Sequence, residues 1–357
     1  MTPAWSRVRG WLQGQVRAAW QARGPLPLLM GPLALLHWTW RGLRRVLRAL
    51  GLARPQRLPV PVVVVGNLLV GGTGKTPLVI DLVAALRARG WHPGVVARGV
   101  GGGAPIPVDV EPASDPAQCG DEPLLVRCVT GAPVAVGRDR VAAARLLLSL
   151  HPSCNLIIAD DGLQHRRLAR DFEIAVLSRA GLGNGWLLPA GPLRDPPARL
   201  RSVDAVVLHG EVPPVRIHSP FYRMSTAIRD ATCMVAPERQ VALADLAREQ
   251  QEHNLRLLAL CAIGAPERFF AQLRAWGLRI DTLALPDHAR IDATLVPQGR
   301  YDRVLVTEKD AVKCHRDPRL GRDERIWVVP LHASVDPGLA ELISNRLQGA
   351  SHGPEAA

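Results

Sequence analysis

Val62-Val63-Val64-Val65-Gly66-Asn67-Leu68-Leu69-Val70-Gly71-Gly72-Thr73-Gly74-Lys75-Thr76-Pro77 is the stretch that decides the fold. The valine run predicts a buried strand, glycines follow, and Leu78 to Arg89 is apolar-periodic and closed by Gly90, which predicts a helix. Strand, glycine loop and helix in that order describe a phosphate loop. Gly71, Gly72, Thr73 and Gly74 would turn backbone N–H groups onto phosphate oxygens. Lys75 would reach the β- and γ-phosphates, and the Thr76 hydroxyl would hold Mg²⁺. The strict pattern has glycine six residues before the lysine, where this chain has Leu69. The competing reading is a glycine-rich turn in front of an ordinary helix.

The chain has 44 basic residues, of which three are lysine: Lys75, Lys309 and Lys313. A sequence that uses arginine wherever a charge suffices marks these positions, because Arg and Lys are not interchangeable at a compact phosphate site. The formal net charge is +12 over 357 residues, but residues 1–57 hold ten Arg and no Asp or Glu, so the rest carries only +2. Five of the nine Trp fall in the same segment: Trp5, Trp11, Trp20, Trp38 and Trp40. Trp5, Val8, Leu12, Val16 and Ala19 share one helical face. Leu43, Val46, Leu47 and Leu50 alternate with Arg41, Arg44, Arg45 and Arg48. The uncharged stretch from Pro25 to Trp40 is interrupted by Pro27, Gly31 and Pro32 and is shorter than the ~20 apolar residues of a spanning helix. The segment reads as an amphipathic element in the membrane interface, on an anionic lipid surface with no nucleic-acid partner expected; the competing reading is a basic amphipathic pair packed on the domain or on nucleic acid. The six cysteines show no paired metal spacing, which points to reduced thiols in a cytosolic setting. No signal peptide is evident.

Beyond the loop, strands and helices alternate, which implies a parallel sheet with helices on both faces and ligands at the strands' carboxyl ends. Gly120-Asp121-Glu122-Pro123 opens a helix, where two acids suit the first turn and could serve as no more than capping. Asn155 to Asp161 is a buried strand ending in Asp160-Asp161, where a P-loop protein places its Mg²⁺-associated carboxylate. Gly183 to Asp195 is a long Gly/Pro loop, and residues 104–119 read as loop. Pro213-Pro214 opens a linker to a second, smaller α/β unit with polar loops at Pro286-Asp287-His288 and at Thr307-Glu308-Lys309-Asp310-Ala311-Val312-Lys313. The division predicted is an amphipathic segment (1–57), a P-loop kinase domain (58–212), a C-terminal α/β lobe (213–348) and a disordered tail (349–357).

Together these stretches resemble the lipid A 4′-kinase (tetraacyldisaccharide 4′-kinase) family from about residue 40 to about residue 330. The resemblance rests on the phosphate loop, Arg98-Gly99, Gly120 to Pro123 and Gly137-Arg138-Asp139-Arg140. It continues in Asp160-Asp161-Gly162-Leu163-Gln164-His165, in Gly183-Asn184-Gly185-Trp186 with Leu188 to Arg194, in Pro286-Asp287-His288, and in Thr307 to Lys313. It implies a membrane-surface kinase that moves the ATP γ-phosphate to the 4′-hydroxyl of a tetraacylated glucosamine disaccharide 1-phosphate, yielding lipid IVA. It also implies two α/β lobes joined by a hinge, at the cytoplasmic face of the bacterial inner membrane, with no obligatory protein partner. By that resemblance Lys75 and Thr76 hold phosphates and Mg²⁺. Asp121 acts on the attacking hydroxyl with His288, and Glu122, Asp160 and Asp161 belong to the metal and phosphate site. Arg138, Gln164, His165 and Arg194 line the active site. Two positions depart from the family pattern: Val100 replaces a tyrosine, and Asp195 replaces a glutamate. A kinase for another small molecule, or a membrane-recruited P-loop nucleotide switch, are the alternatives.

Overall fold

The structure is a computed structural model that describes residues 19–20, 22–50, 54–99 and 106–351. The first amphipathic helix expected before Ala19 and the run Val100 to Gly103 lie outside the described residues.

Helices α1 (Pro25–Leu29) and α2 (Gly31–Ala49) precede the first lobe. That lobe runs β1 (Val62–Asn67), α3 (Lys75–Arg87), β2 (Pro93–Ala97), β3 (Val108–Asp109), α4 (Pro116–Cys119), α5 (Asp121–Thr130), β4 (Val134–Val136), α6 (Arg140–Leu150), β5 (Leu156–Asp160), β6 (Phe172–Ser178), β7 (Ala205–His209) and β8 (Phe221–Ala227). A second unit follows: β9 (Asp230–Cys233), β10 (Gln240–Ala242), α7 (Leu243–His253), β11 (Leu257–Cys261), α8 (Pro266–Ala275), β12 (Ile280–Ala284), β13 (Arg303–Thr307), α9 (Glu308–Cys314) and β14 (Ile326–Val329). The chain then closes with β15 (His332–Val335) and α10 (Gly338–Ser351).

The first sheet has nine strands in the order β15-β8-β7-β6-β1-β5-β2-β4-β3, and the second six in the order β10-β9-β14-β13-β11-β12. Strand β1 is central and pairs in parallel with β5 and β6. Its valines are buried on both faces, as a parallel sheet covered on both sides requires. Val63 and Val65 pack with Leu78, Leu82 and Leu86 of α3, while Val62 and Val64 face Val141, Ala144 and Leu147 of α6. The glycine loop and Asp160 both stand at carboxyl ends of adjacent strands, where such a sheet binds ligands.

The sheets do not divide at residue 212. Strand β8 pairs with β7, and β15 returns from the second unit to pair antiparallel with β8. Leu339, Ile343 and Leu347 of α10 then join the first lobe's core, and Trp91 Nε1 donates to Ser344 Oγ at 3.1 Å. The chain thus crosses between sheets twice, at β8–β9 and β14–β15. The return packs β15 and α10 against α3. Helix α10 also continues to Ser351, taking in the first three residues of the expected tail. Within the stretch read as loop, β3 and α4 are formed.

Helix α2 joins the interrupted stretch and the second basic segment into one helix of 19 residues. Leu33, Leu36, Trp40 and Leu43, at spacings that share one face, are all at least half exposed. Among the described residues no helix is long and apolar enough to cross a membrane. Trp20 Nε1 donates to Pro189 O at 3.0 Å and Arg23 Nε to Asn184 O at 3.2 Å, so this segment docks on the long Gly/Pro loop.

Candidate active site

The phosphate loop is held from its own strand. Asn67, wholly buried, donates through Nδ2 to the Gly71 carbonyl (3.2 Å) and to Thr73 Oγ1 (3.0 Å). Gly74, the residue before α3, has φ +92, a left-handed conformation that glycine adopts at no steric cost. Lys75 Nζ, 12% exposed, stands 3.4 Å from Asp161 Oδ1.

Asp160 and Asp161 are neighbours on a strand and should point to opposite faces. They do not, because Asp161 leaves the strand with φ +50. That turn brings its carboxylate to Lys75 and to Arg194 NH1, which approaches Oδ1 and Oδ2 at 2.9 and 2.8 Å. Burial would raise the Asp161 carboxyl, but Lys75 and Arg194 together hold it below the ordinary carboxylate range. Asp160 is pushed up to about 7, by burial first and then by Glu122 and Asp161, against the pull of Lys75.

Thr76 Oγ1 donates to Glu122 Oε2 at 3.3 Å, so the first turns of α3 and α5 meet. The preceding residue, Asp121, faces the second unit. Its Oδ2 lies 3.0 Å from His288 Nδ1 and 3.2 Å from Lys313 Nζ. His288 adopts φ +62, anchored by its N–H on the Ala262 carbonyl (3.3 Å). Lys313 is tied to the buried Asp310 (3.0 Å), which accepts from Ala262 N (3.0 Å) and Thr307 Oγ1 (2.7 Å). One turn earlier, Lys309 Nζ bridges Glu122 (3.5 Å) and Asp287 (3.3 Å). Burial opposes its charge, but these acids outweigh it and raise its pKa. All three lysines of the chain therefore lie in one cleft, and α9 presents two of them to the first turn of α5.

The other expected residues have different employments. Gln164 donates to the Asn67 carbonyl (3.1 Å) and to Asp195 Oδ2 (2.7 Å), bracing the end of β1. Asp195 is buried there, also 3.9 Å from Arg166. Its shorter side chain serves the loop's scaffold. His165 Nε2 is buried 3.9 Å from Asp139, and burial followed by Arg140 lowers the ring to about 4. Arg138 is exposed, whereas Arg140 is buried and electrostatically coupled to Asp161 and Asp160. Burial lowers its guanidinium to about 10 against their attraction. Arg140, Lys309, Lys313 and Asn67 are the residues that motif reading left without roles. The scarcity of lysine was the one available signal for two of them.

Among the described residues no three His, Cys, Asp or Glu side chains converge as a ready-made metal cage. Mg²⁺ does not need one: it takes one or two carboxylates and completes its shell with phosphate oxygens and water. The donor set of Thr76, Glu122 and Asp160 fits that habit, and Asp160 Oδ1 is buried without a hydrogen-bond partner.

The charge of Asp160 has a cost that can be measured. With a raised pKa, the native chain binds more protons than the unfolded chain between the ordinary carboxylate value and about 7. This group therefore makes the fold less stable as pH rises through that window. Asp160→Asn is expected to raise the thermal midpoint of the metal-free protein by several degrees at about pH 8, and by less at about pH 5. Equal midpoints at the higher pH would show that Asp160 carries no such strain.

Comparison with known proteins gives the cleft a context. The sequence pattern of the family described as tetraacyldisaccharide-1-P 4′-kinase (LpxK) matches residues 26–348. A tetraacyldisaccharide 4′-kinase of Herminiimonas arsenicoxydans is 45% identical over 352 residues, covering 96% of this chain and 98% of that protein. One from Azoarcus sp. (strain BH72) is 47% identical over 332 residues, covering 92% and 94%. The crystal structure of the "apo" form of LpxK from Aquifex aeolicus in complex with ATP superposes with a TM-score of 0.76 at 27% identity, covering 90% of this chain and 99% of that one. This chain belongs to the tetraacyldisaccharide-1-P 4′-kinase family.

Proposed function

We propose that the protein is an ATP-dependent kinase that phosphorylates the 4′-hydroxyl of a tetraacylated glucosamine disaccharide 1-phosphate, giving lipid IVA. The observation that carries this reading is the pairing of two half-sites in a chain of this family. Lys75, Asp161 and Arg194 gather at the phosphate loop, and Asp121 and His288 meet across the cleft at 3.0 Å. In this reading the loop's N–H groups and Lys75 bind the ATP phosphates, with Arg194 beside them. Thr76, Glu122 and Asp160 would hold Mg²⁺, which when bound neutralises phosphate charge. Asp121 takes the proton of the 4′-hydroxyl as that oxygen bonds to the γ-phosphorus and the bond to the ADP oxygen breaks. His288 orients the carboxylate or shares the proton. Incubation with ATP, Mg²⁺ and the disaccharide 1-phosphate should add the mass of one phosphate to the lipid. ADP release with no lipid product would overturn the assignment.

The acceptor is a lipid, and we place the enzyme on the cytoplasmic face of the inner membrane through residues 1–57. Support comes from the exposed Leu33, Leu36, Trp40 and Leu43 on a helix with no acidic residue, in a segment with ten Arg. Burying apolar side chains at the headgroup boundary, with arginines on anionic lipid, gives binding without a spanning helix. Replacing these four residues with serine is expected to weaken sedimentation with anionic vesicles by at least ~10-fold, because each buried apolar side chain contributes about 1.5–3 kcal/mol when fully transferred. Turnover on a short-chain, detergent-dispersed acceptor should change little. Unaltered vesicle binding would assign this face to another contact.

A further inference from the structure

His209 ends β7 directly beneath the phosphate loop, and neither the motifs nor the reaction just described use it. Its Nδ1 lies 3.0 Å from the Thr73 carbonyl oxygen and its Nε2 lies 2.9 Å from Thr226 Oγ1 on β8. A carbonyl oxygen only accepts, so Nδ1 carries a proton and donates. Burial holds the ring below the ordinary imidazole range, leaving it neutral, so Nε2 accepts from the Thr226 hydroxyl. Thr226 thereby selects the tautomer that Thr73 needs. The loop backbone rests on the ring itself: a Cβ added to Gly74 would overlap it, meeting Cε1 at 2.8 Å.

The peptide joining Thr73 to Gly74 is planar, and in a trans peptide the carbonyl and the N–H point to opposite sides. Tying the Thr73 carbonyl down to His209 therefore turns the Gly74 N–H away from the ring and toward the loop's open face. A peptide next to glycine has little steric resistance to flipping, so a fixed donor is what selects one orientation. Asn67 does the same at the other end of the loop, through the Gly71 carbonyl (3.2 Å). We infer that His209 is a positioning residue for nucleotide binding: its Nδ1–H holds the Thr73–Gly74 peptide so that the Gly74 N–H is presented to the ATP phosphates. This rests on reading residues 71–76 as the ATP phosphate loop.

Two amide substitutions separate this from simple packing. His209→Asn places an amide N–H near the Nδ1 position and keeps a donor for Thr73. His209→Gln carries its amide further, to the Nε2 side, and leaves Thr73 without one. A neutral hydrogen bond is worth roughly a five- to tenfold change in affinity. The expected result is that His209→Gln weakens equilibrium ATP binding and raises KM for ATP by about that factor, with KM for the lipid acceptor unchanged. His209→Asn stays within about threefold of the wild type, and Thr226→Val moves the same way as the glutamine variant but by less. Asn and Gln variants with the same ATP affinity would overturn the inference. If neither folds, Thr226→Val decides, and an unchanged ATP affinity there overturns it. Lys75→Ala, measured alongside, distinguishes the underlying reading. Wild-type turnover in Lys75→Ala rejects the phosphate loop, whereas lost turnover there with wild-type His209→Gln rejects only the role of His209.

Discussion

Lys75→Ala is expected to lower kcat by at least ~10³-fold, since a single preorganised donor at a site of developing charge is worth 10²–10³ in rate and this one also compensates two acids. Charge accumulates on the transferring phosphoryl oxygens and the leaving oxygen, and an ammonium there stabilises the transition state more than the bound ground state. The structure adds a second consequence. Lys75 acts on both Asp160 and Asp161, and Arg194 contacts Asp161 directly. Without Lys75 the buried Asp160 loses the nearby charge that most lowers its pKa, and it would hold its proton more firmly. The variant should therefore keep its fold by circular dichroism and lose Mg²⁺-dependent turnover. Lys75→Arg should recover little, because a planar guanidinium is bulkier and differently directed than an ammonium. A well-folded Lys75→Ala with near wild-type turnover would remove the phosphate loop from the mechanism.

Asp121→Ala and His288→Ala should each reduce kcat by roughly 10²–10⁴-fold, the usual contribution of a positioned general base, with modest change in KM for ATP. The double variant should be little worse than the worse single, because groups that act as a unit are not additive. The two residues belong to different sheets' ends, and their 3.0 Å contact exists only while the units are together. Lys313 Nζ also lies 3.2 Å from the same Oδ2. Both partners thus engage Asp121 Oδ2. A double-mutant kinetic cycle at saturating ATP and lipid is the measurement. Losses that multiply independently, or a His288→Ala defect confined to lipid KM, would make His288 a binding residue. Near-normal kcat in Asp121→Ala would move the base elsewhere, with Asp161 next in line.

Local pattern was enough for much of this protein. The valine run, glycine loop and apolar helix of residues 62–89 are contiguous, and each local preference agrees with the final structure, so β1, the loop and α3 were legible as written. The same holds for Leu156–Asp160 with its terminal acids, and for the family resemblance that those short motifs carry. The strands that escaped reading were of another kind. Phe221–Ala227 and His332–Val335, two of them, are only partly buried, show no continuous apolar run, and pair with each other at separations of 105 or more positions.

The sequence by itself determined which chemistry is present: a phosphate loop, an acid pair, a second pair of acids opening a helix, and an Asp-His loop. Tertiary structure alone decided who partners whom. Arg140 rather than Arg138 turns inward because the helix beginning at Arg140 buries its first residue, a choice of helix start that three neighbouring charged residues cannot announce. Asp160 and Asp161 share Lys75 only because Asp161 takes a left-handed turn. Lys309 and Lys313 meet Glu122 and Asp121 only because two sheets bring their carboxyl ends together. Short-range preferences act over a few residues and can be read from them. Charge pairing acts through space, and its partners here lie 187 and 192 positions apart in the chain.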